Sequence, residues 1–443
     1  MAETLTDTDA PSFPNLIGGE ARDGADGATF ESRNPARQSD VIGRFPQSSA
    51  ADVDDAVQAA QRAFETWRLV PAPKRGDYLR AIGDVLTERK AEMARAMTRE
   101  MGKPFFETKG DVQEAIDTAY YAMTMGRQLF GHTVPSELNN KFNMTVRRPL
   151  GVVGVITAWN FPVAVPTWKI FPAILSGNTV VFKPSEEAPH SGMLLVEALH
   201  DAGLPEGVVN LVQGAGPTGR AMVEHPGIAA LTFTGSSETG AAIAAAAARQ
   251  HKRVSLEMGG KNPLIVMEDA DVDLAVEGLL WGAFGTTGQR CTATSRLIVH
   301  ERVHDEVVEK LAARAQKLRL GYGNDDDTEM GPLINQKALD KVTYYVGVAK
   351  DEGATVAIGG DRATGDGLDD GFFFQPTILT GVTREMRVAR EEIFGPVLSV
   401  LKVGSFEEAI SVANDVPYGL SSAVYTRDVA RAFRAIRDLD AGI

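Results

Sequence analysis

The sequence of 443 residues contains one cysteine, Cys291, and this scarcity excludes an internal disulfide and a cysteine-based zinc site. No run of about 18 residues is both uncharged and continuously apolar, so we expect no membrane-spanning helix. Basic residues are in the minority, since 45 Lys and Arg face 59 Asp and Glu for a net charge of −14. That balance argues against a nucleic-acid partner or an anionic membrane surface. We expect no metal site.

Residues 1–14 are polar and acidic and lack the basic and apolar regions of a signal peptide. They predict a disordered lead-in, and the expected compartment is the cytosol.

Periodicity divides the rest of the chain into two parts. Residues 15–46 predict small strands and turns, and residues 51–63, 75–99 and 107–126 have helical periodicity. From residue 150 onward we predict buried strands at 151–157, 179–183, 208–212, 230–234, 263–267 and 296–300, and a further strand at 253–257. Predicted helices accompany them at 168–175, 191–202, 272–284 and 304–318. This alternation predicts an α/β fold of parallel sheets with helices on both faces, and the length predicts two or three units.

The single cysteine follows a run of small, turn-prone residues that ends in Gly288, Gln289 and Arg290. A free thiol is most often a small buried apolar residue. The alternative is that Cys291 is a catalytic nucleophile. Thiolates attack carbonyl carbon well, and the glycines before Cys291 allow a ligand to approach the backbone. On the residues alone, the two interpretations are about even.

Polar residues that could serve a ligand follow several predicted strands. Asn160 offers an amide donor to an oxyanion, although Asn-x-Pro is also a common turn. Lys183 and Glu186 close the strand at 179–183, where ligands of α/β sheets bind, or form a solvated charge pair. Glu257 stands before Gly259 and Gly260 and could act as a general base.

Two stretches are candidates for binding a phosphate group. Residues 214–219 match G-x-G-x-x-G after a strand, but Pro217 interrupts this weak fingerprint. The stronger candidate is Phe233-Thr234-Gly235-Ser236, because Ser236 is a good N-cap and a helix start offers free N–H groups.

Six stretches together resemble the NAD(P)-dependent aldehyde dehydrogenase superfamily over essentially the whole chain. They read W-N-F-P at 159–162, K-P-S-E at 183–186, F-T-G-S at 233–236, E-M-G-G-K at 257–261, G-Q-R-C at 288–291 and E-E-I-F-G-P at 391–396. As an ordered set they are highly specific. The resemblance implies two doubly wound parallel-sheet domains, one Rossmann-like for the cofactor and one catalytic, with a small bridging β segment. The implied boundaries are 1–126 and 150–256 for the dinucleotide-binding domain, 127–149 for the bridging and oligomerisation segment, and 257–443 for the catalytic domain.

The resemblance also implies a reaction. Cys291 adds to an aldehyde to give a thiohemiacetal, hydride passes to the nicotinamide, and water hydrolyses the resulting thioester. Asn160 and the backbone N–H of Cys291 would hold the oxyanion, and Glu257 would activate the water.

For the cofactor, the resemblance implies that Lys183 and Glu186 hold the adenosine ribose and Ser236 the pyrophosphate. Glu392 would hold the nicotinamide ribose, with Phe394 beside the ring, and residues 214–219 become a strand–helix turn. The implied cofactor-binding residues are Ile156, Thr157, Trp159, Lys183, Glu186, Gly216, Phe233, Gly235, Ser236, Glu392 and Phe394. Because Glu186 can bond a 2′-hydroxyl and repel a 2′-phosphate, we predict NAD, with NADP as the alternative.

Arg290 is the most informative residue for the substrate. Its guanidinium could favour aldehydes with a distal carboxylate, or it could form a structural salt bridge. The sequence is most similar to the semialdehyde-oxidising branch, such as the α-ketoglutaric semialdehyde enzymes. By match to the family, the other expected substrate contacts are Phe161, Trp168, Tyr121 and Met125.

Three alternatives remain open: a general aliphatic aldehyde dehydrogenase, a CoA-acylating relative, and a non-catalytic relative. Glu257 argues against the acylating relative. The expected partners are a small aldehyde and a second copy of the chain, as a homodimer or homotetramer. Family members normally continue beyond a segment such as 438–443, so we expect this chain to be truncated there, without the final strand that pairs with a neighbouring subunit.

Overall fold

The computed structural model describes residues 10–443. Residues 1–9, which belong to the predicted disordered lead-in, lie outside the described residues. The chain divides into two compact units. Within the described residues, the first consists of 10–33, Asp40–Met101 and Phe106–Glu257, and the second of Asn34–Ser39, Gly102–Phe105 and Met258–Ile443.

The first unit is built around a seven-stranded sheet in the order β11-β10-β7-β8-β9-β1-β2. Its strands are β1 (Asn15–Ile17), β2 (Glu20–Arg22), β7 (Val152–Ile156), β8 (Thr179–Lys183), β9 (Val209–Leu211), β10 (Ile228–Thr234) and β11 (Arg253–Glu257). The five strands from β11 to β9 are parallel, whereas β1 and β2 are added at one edge in antiparallel pairs. A separate antiparallel pair is formed by β3 (Thr29–Asn34) and β4 (Arg37–Pro46). The predicted parallel sheet is confirmed.

Several helices of the first unit pack directly on the strands of the sheet, and others pack on those helices. They are α1 (Ala50–Trp67), α2 (Ala72–Glu88), α3 (Lys90–Met101), α4 (Phe105–Met125), α5 (Ala164–Leu175), α6 (Pro189–Asp201), α7 (Gly216–Glu224) and α8 (Ser237–Ala248). The first of them starts at a capping box, in which the Ser49 N–H donates to the Asp52 carboxylate at 2.7 Å. Its residues Val53, Ala56 and Val57 are fully buried in the core.

The prediction of one continuous helix over residues 75–99 is wrong. The chain leaves helical geometry at Arg89, where φ is −89° and ψ is 4°, so that α2 ends and α3 begins. The Arg89 guanidinium lies 2.9 Å from Asp201 and 3.8 Å from Glu197, both on α6. These tertiary ion pairs, which the periodicity of 75–99 does not reveal, accompany the break.

The segment predicted to bridge the domains forms a small antiparallel pair, β5 (Thr133–Val134) with β6 (Asn143–Met144). Its apolar side chains are exposed, including Phe142 at 72% and Met144 at 63%.

The second unit contains a six-stranded sheet in the order β14-β15-β16-β13-β12-β17. Its strands are β12 (Asn262–Val266), β13 (Thr294–His300), β14 (Thr355–Ile358), β15 (Thr377–Thr380), β16 (Val397–Val403) and β17 (Ala423–Tyr425). All neighbours are parallel except β14, which pairs antiparallel with β15. The predicted α/β fold with two parallel-sheet domains is therefore confirmed.

Helices of the second unit are α9 (Val272–Phe284), α10 (His304–Ala315), α11 (Gln336–Asp351), α12 (Arg387–Arg390), α13 (Phe406–Asn414) and α14 (Val429–Asp438). A short 3-10 helix, Gly285–Gly288, follows α9 directly. Large hydrophobic clusters form the core of this unit, and a smaller cluster contains Ala36, Ala363 and Phe373. Among residues 10–443, no helix combines the length and apolarity needed to cross a bilayer.

Candidate active site

The carboxyl ends of four parallel strands align in the first unit. Lys183 at the end of β8 pairs with Ile156 on β7, and Ile156 pairs in turn with Phe233 on β10. Thr234, the last residue of β10, pairs with Glu257 at the end of β11. Four of the six sequence motifs therefore meet the same edge of one sheet, where open α/β folds bind ligands.

Lys183 is the most tightly held residue of this edge. Its ammonium donates to the carbonyl of Pro184 at 2.6 Å and to that of Gly214 at 2.7 Å. Burial lowers the pKa of Lys183 to about 8, and the charge of Glu186, 3.7 Å away, opposes that shift. The lysine thus joins its own motif to the G-x-G-x-x-G turn, a contact that the sequence does not predict.

Two polar residues follow β7. The Thr157 hydroxyl is buried and has no hydrogen-bond partner within residues 10–443. Asn160 is also buried, at 4% exposure. A buried hydroxyl without a partner costs free energy, so Thr157 at this edge is suited to a bound polar group.

The F-T-G-S motif has the geometry expected of a helix start. Ser236 caps α8 and accepts a hydrogen bond from the backbone N–H of Thr239 at 3.2 Å. The N–H of Gly235 donates to the backbone carbonyl of Glu257 at 3.1 Å, which ties this motif to the predicted base. Gly216 begins α7, and a Cβ added there would meet no atom of the described part of the chain within 4 Å.

Lys169 on α5 was missed in the sequence. It is 7% exposed, and its ammonium donates to the Thr232 hydroxyl at 3.1 Å and to the Phe233 carbonyl at 3.4 Å. Burial lowers its pKa to about 8, and the carboxylate of Glu257 opposes that shift. The available signal was a single cation within an otherwise apolar helix.

The candidate residues of the second unit lie at the amino edge of its sheet, whereas those of the first unit lie at a carboxyl edge. Cys291 precedes β13, Gly260 precedes β12 and Glu392 precedes β16, so that all three meet the amino ends of the parallel strands. The rule that places ligands at carboxyl ends fits the first unit but not this one.

The loop before the thiol has an unusual backbone. Thr286, Thr287 and Gly288 all have positive φ, at 52°, 57° and 66°. Left-handed conformation costs a threonine about 1–2 kcal/mol, so surrounding contacts must hold it. The Thr287 hydroxyl supplies one such contact by donating to the Gly331 carbonyl at 2.9 Å.

Gln289 supplies further contacts and is 1% exposed. Its amide oxygen accepts from the Ile334 N–H at 2.9 Å, and its amide nitrogen donates to the Pro332 carbonyl at 3.2 Å. The glutamine of the G-Q-R-C motif thus fastens the loop to residues 332–334. The sequence displays this residue in a motif but gives no indication of its partners.

The two adjacent glutamates of E-E-I-F-G-P have different surroundings. Glu391 accepts hydrogen bonds from Arg387 at 2.8 Å and from the Tyr345 hydroxyl at 2.6 Å, so it has a structural role. Glu392 accepts from the Gly260 N–H at 3.0 Å, and burial raises its pKa. A Cβ on Gly259 would overlap the Glu392 carboxylate, so the glycine permits this close approach.

Arg290, the predicted substrate anchor, is held by the end of α9. Its guanidinium donates to the carbonyls of Trp281 at 2.7 Å and Gly282 at 3.0 Å, and it stacks on the Trp281 ring at 4.7 Å. These contacts fix the position of the positive charge one residue before the thiol.

The other predicted substrate residues lie on or before α4 and α5 in the first unit. Tyr121 is 68% exposed and Trp168 is 40% exposed, whereas Phe161 and Met125 are half-buried. Their contact with a substrate stays a prediction.

Two parallel-sheet units, one with a strand-edge site suited to a dinucleotide and one with a thiol in a constrained loop, define an α/β oxidoreductase. Residues 22–443 match the aldehyde dehydrogenase family, and the chain belongs to it. The predicted resemblance and enzyme class are confirmed.

Named relatives cover nearly the whole chain. It is 42% identical over 437 residues to an α-ketoglutaric semialdehyde dehydrogenase from Bacillus subtilis, covering 98% of this chain and 90% of that protein. It is 41% identical over 430 residues to an α-ketoglutarate semialdehyde dehydrogenase from Haloferax volcanii, with coverage of 97% and 89%. Among solved structures, betaine aldehyde dehydrogenase from Staphylococcus aureus in complex with NAD+ superposes with a TM-score of 0.95 at 38% identity, covering 98% of this chain and 86% of that one.

Proposed function

We propose that this aldehyde dehydrogenase oxidises a carboxylate-bearing semialdehyde, such as α-ketoglutaric semialdehyde, with NAD as the acceptor. The observation that carries the proposal is the constrained loop of Cys291, directly preceded by the fixed cation of Arg290. Identity of about 42% to a semialdehyde dehydrogenase supports the same substrate class.

In the proposed reaction, the Cys291 thiolate adds to the aldehyde carbon and forms a thiohemiacetal. The Asn160 amide and the Cys291 backbone N–H donate to the oxygen that becomes negative. Loss of hydride leaves a thioester on the sulfur. Glu257 then takes a proton from water, which attacks the thioester, releases the acid and regenerates the thiol.

The residues at the carboxyl edge of the first unit fit a dinucleotide. Thr157 offers a buried hydroxyl that has no hydrogen-bond partner among residues 10–443, Lys183 and Glu186 offer groups for a ribose, and Ser236 opens a helix N-terminus for a pyrophosphate. In the second unit, Glu392 would hold the nicotinamide ribose. When bound, NAD supplies the hydride acceptor.

Charge at Arg290 separates the two substrate classes that the relatives suggest. A quaternary ammonium, as in betaine aldehyde, would be repelled by this guanidinium, whereas a distal carboxylate would be attracted. Two unit charges about 4 Å apart interact by roughly 4 kcal/mol at an effective dielectric constant near 20, and the energy falls in inverse proportion to their separation. The charge of Arg290 therefore favours the semialdehyde.

The test is NADH formation with three aldehydes of equal length that end in a carboxylate, a methyl group or a trimethylammonium group. We expect kcat/KM to be highest for the carboxylate by at least about tenfold over the methyl compound. Arg290→Gln should remove that preference and leave activity with the methyl aldehyde. Equal rates for the carboxylate and methyl compounds would indicate a general aliphatic enzyme, and highest activity with the ammonium compound would indicate a betaine aldehyde enzyme.

Product analysis tests the remaining alternative, because a CoA-acylating relative would make an acyl-CoA when CoA is supplied. We expect the free acid, and we expect Glu257→Gln to accumulate a thioester on Cys291 with little turnover.

We also propose a homodimer or homotetramer. The support is the exposed apolar surface of the β5–β6 segment, where Phe130, Phe142 and Val146 are each at least 66% exposed. Light scattering measures the mass, and Phe142→Ser with Met144→Ser should lower it.

A further inference from the structure

Asn262, the first residue of β12, holds the main chain of the candidate nucleophile. Its side chain is 4% exposed, and its amide nitrogen donates to the Cys291 carbonyl at 2.7 Å and to the Ala293 carbonyl at 2.9 Å. Its amide oxygen accepts from the Ser421 N–H at 3.1 Å. One side chain thus joins the amino ends of three neighbouring strands, β13, β12 and β17.

The fit around these bonds is close. A Cβ on Gly260 would lie 3.0 Å from the Cys291 carbonyl oxygen and 2.7 Å from the Asn262 amide oxygen. The glycine therefore lets the strand end approach the nucleophile main chain, and the asparagine fixes the distance. Because a carboxamide supplies two N–H donors and one acceptor, asparagine satisfies all three main-chain partners at once.

We propose that Asn262 is a positioning residue for Cys291. By holding the Cys291 carbonyl, it fixes the peptide plane that follows the thiol and, through the short chain, the direction of the thiol and of the Cys291 N–H. This inference rests on the proposed function, in which Cys291 attacks the aldehyde. Its effect is on the rate of the chemical steps and not on binding of the dinucleotide.

The test is Asn262→Asp, which keeps the shape and the acceptor for Ser421 but loses both donors. Its control is Asn210→Asp in the first unit. Asn210 is fully buried and has the same pattern, donating to the carbonyls of Val180 at 3.2 Å and Gly207 at 2.8 Å and accepting from the Gly18 N–H at 2.8 Å. If removing a buried amide lowers activity only by destabilising the protein, the loss should appear in both variants.

The readout is kcat per thiol titrated with a mild alkylating reagent, together with the Kd for NAD. We expect Asn262→Asp to lower kcat per titrated thiol by about 10- to 100-fold, because small misplacement of a reacting group has effects of that size. Asn210→Asp should keep the wild-type value, and both variants should keep the Kd for NAD. Because an aspartate also adds a charge, the neutral Asn262→Ser, which keeps one donor, should give an intermediate loss.

Equal kcat per thiol in the wild type and both Asn262 variants would overturn the inference. So would an equal loss in Asn210→Asp, because the effect would then be one of general stability. If Asn262→Asp does not fold, the serine variant decides by the same measure. Failure of the proposed function has a different appearance: the wild type would form no NADH from any aldehyde, and Cys291→Ser would change nothing.

Discussion

Replacing Gly288 by alanine tests whether the segment that carries Glu392 fixes the nucleophile loop. Gly288 has a φ of +66°, and a Cβ built on it would lie 2.5 Å from the carbonyl carbon of Gly395 and 3.0 Å from the nitrogen of Pro396. Carbon atoms in ordinary contact stay about 3.5 Å apart. Either the loop at Gly288 or the segment at Gly395 must therefore move by about 1 Å, because main-chain atoms cannot rotate away as a side chain can.

The substitution carries two separable costs. A left-handed backbone costs alanine about 1–2 kcal/mol relative to glycine, and the clash with Gly395 comes in addition. Gly381→Ala is a matched control for the first cost, because Gly381 has a φ of +67° and a Cβ there would meet no atom of residues 10–443 within 4 Å.

We expect Gly381→Ala to lower the free energy of unfolding by about 1–2 kcal/mol and to leave kcat unchanged. Gly288→Ala should lower it further and should reduce kcat by about 100-fold, since a displacement near 1 Å at the nucleophile has that effect. Urea unfolding and NADH formation measure the two quantities. If Gly288→Ala had the stability of the control and the kcat of the wild type, the contact with Gly395 would not position the loop.

Two further predictions concern the first unit. Glu100 is fully buried beside the N–H groups of His190 and Ser191, and burial raises its pKa to about 7. The pKa of Glu100 in the folded protein lies above its unfolded value of 4.5, so its contribution to stability is greatest below pH 4.5 and is lost as the pH rises through 7. Between pH 5 and 8, the free energy of unfolding of the wild type in urea should fall by roughly 2–3 kcal/mol because of this group. Glu100→Gln should not show that fall. Lys183→Met should raise the KM for NAD at least about tenfold, because it removes the ammonium proposed to hold the ribose together with its hydrogen bonds to the Pro184 and Gly214 carbonyls. Lys252→Met, which removes similar bonds to two carbonyls elsewhere in the unit, should leave that KM unchanged, and equal KM values in both variants would contradict the role of Lys183.

Much of the fold was predictable because buried parallel strands have continuous apolar runs. The fully buried strand at 179–183 and the helix at 272–284 were predicted at their observed bounds. The helix break at Arg89 was not predictable, because its charged partners lie on α6, more than a hundred residues away in sequence.

The sequence by itself determined the family and the reactive groups, because the thiol, the carboxylates and the amide stand in ordered motifs that local chemistry makes recognisable. Only the tertiary structure decided which groups are held, and by what. It separated Glu391, bound to Arg387, from Glu392, bound to the Gly260 N–H. It also joined Asn262 to the Cys291 carbonyl across 29 residues of sequence. Hydrogen bonds between segments distant in sequence depend on strand order and register, which local patterns of apolar and polar residues do not specify.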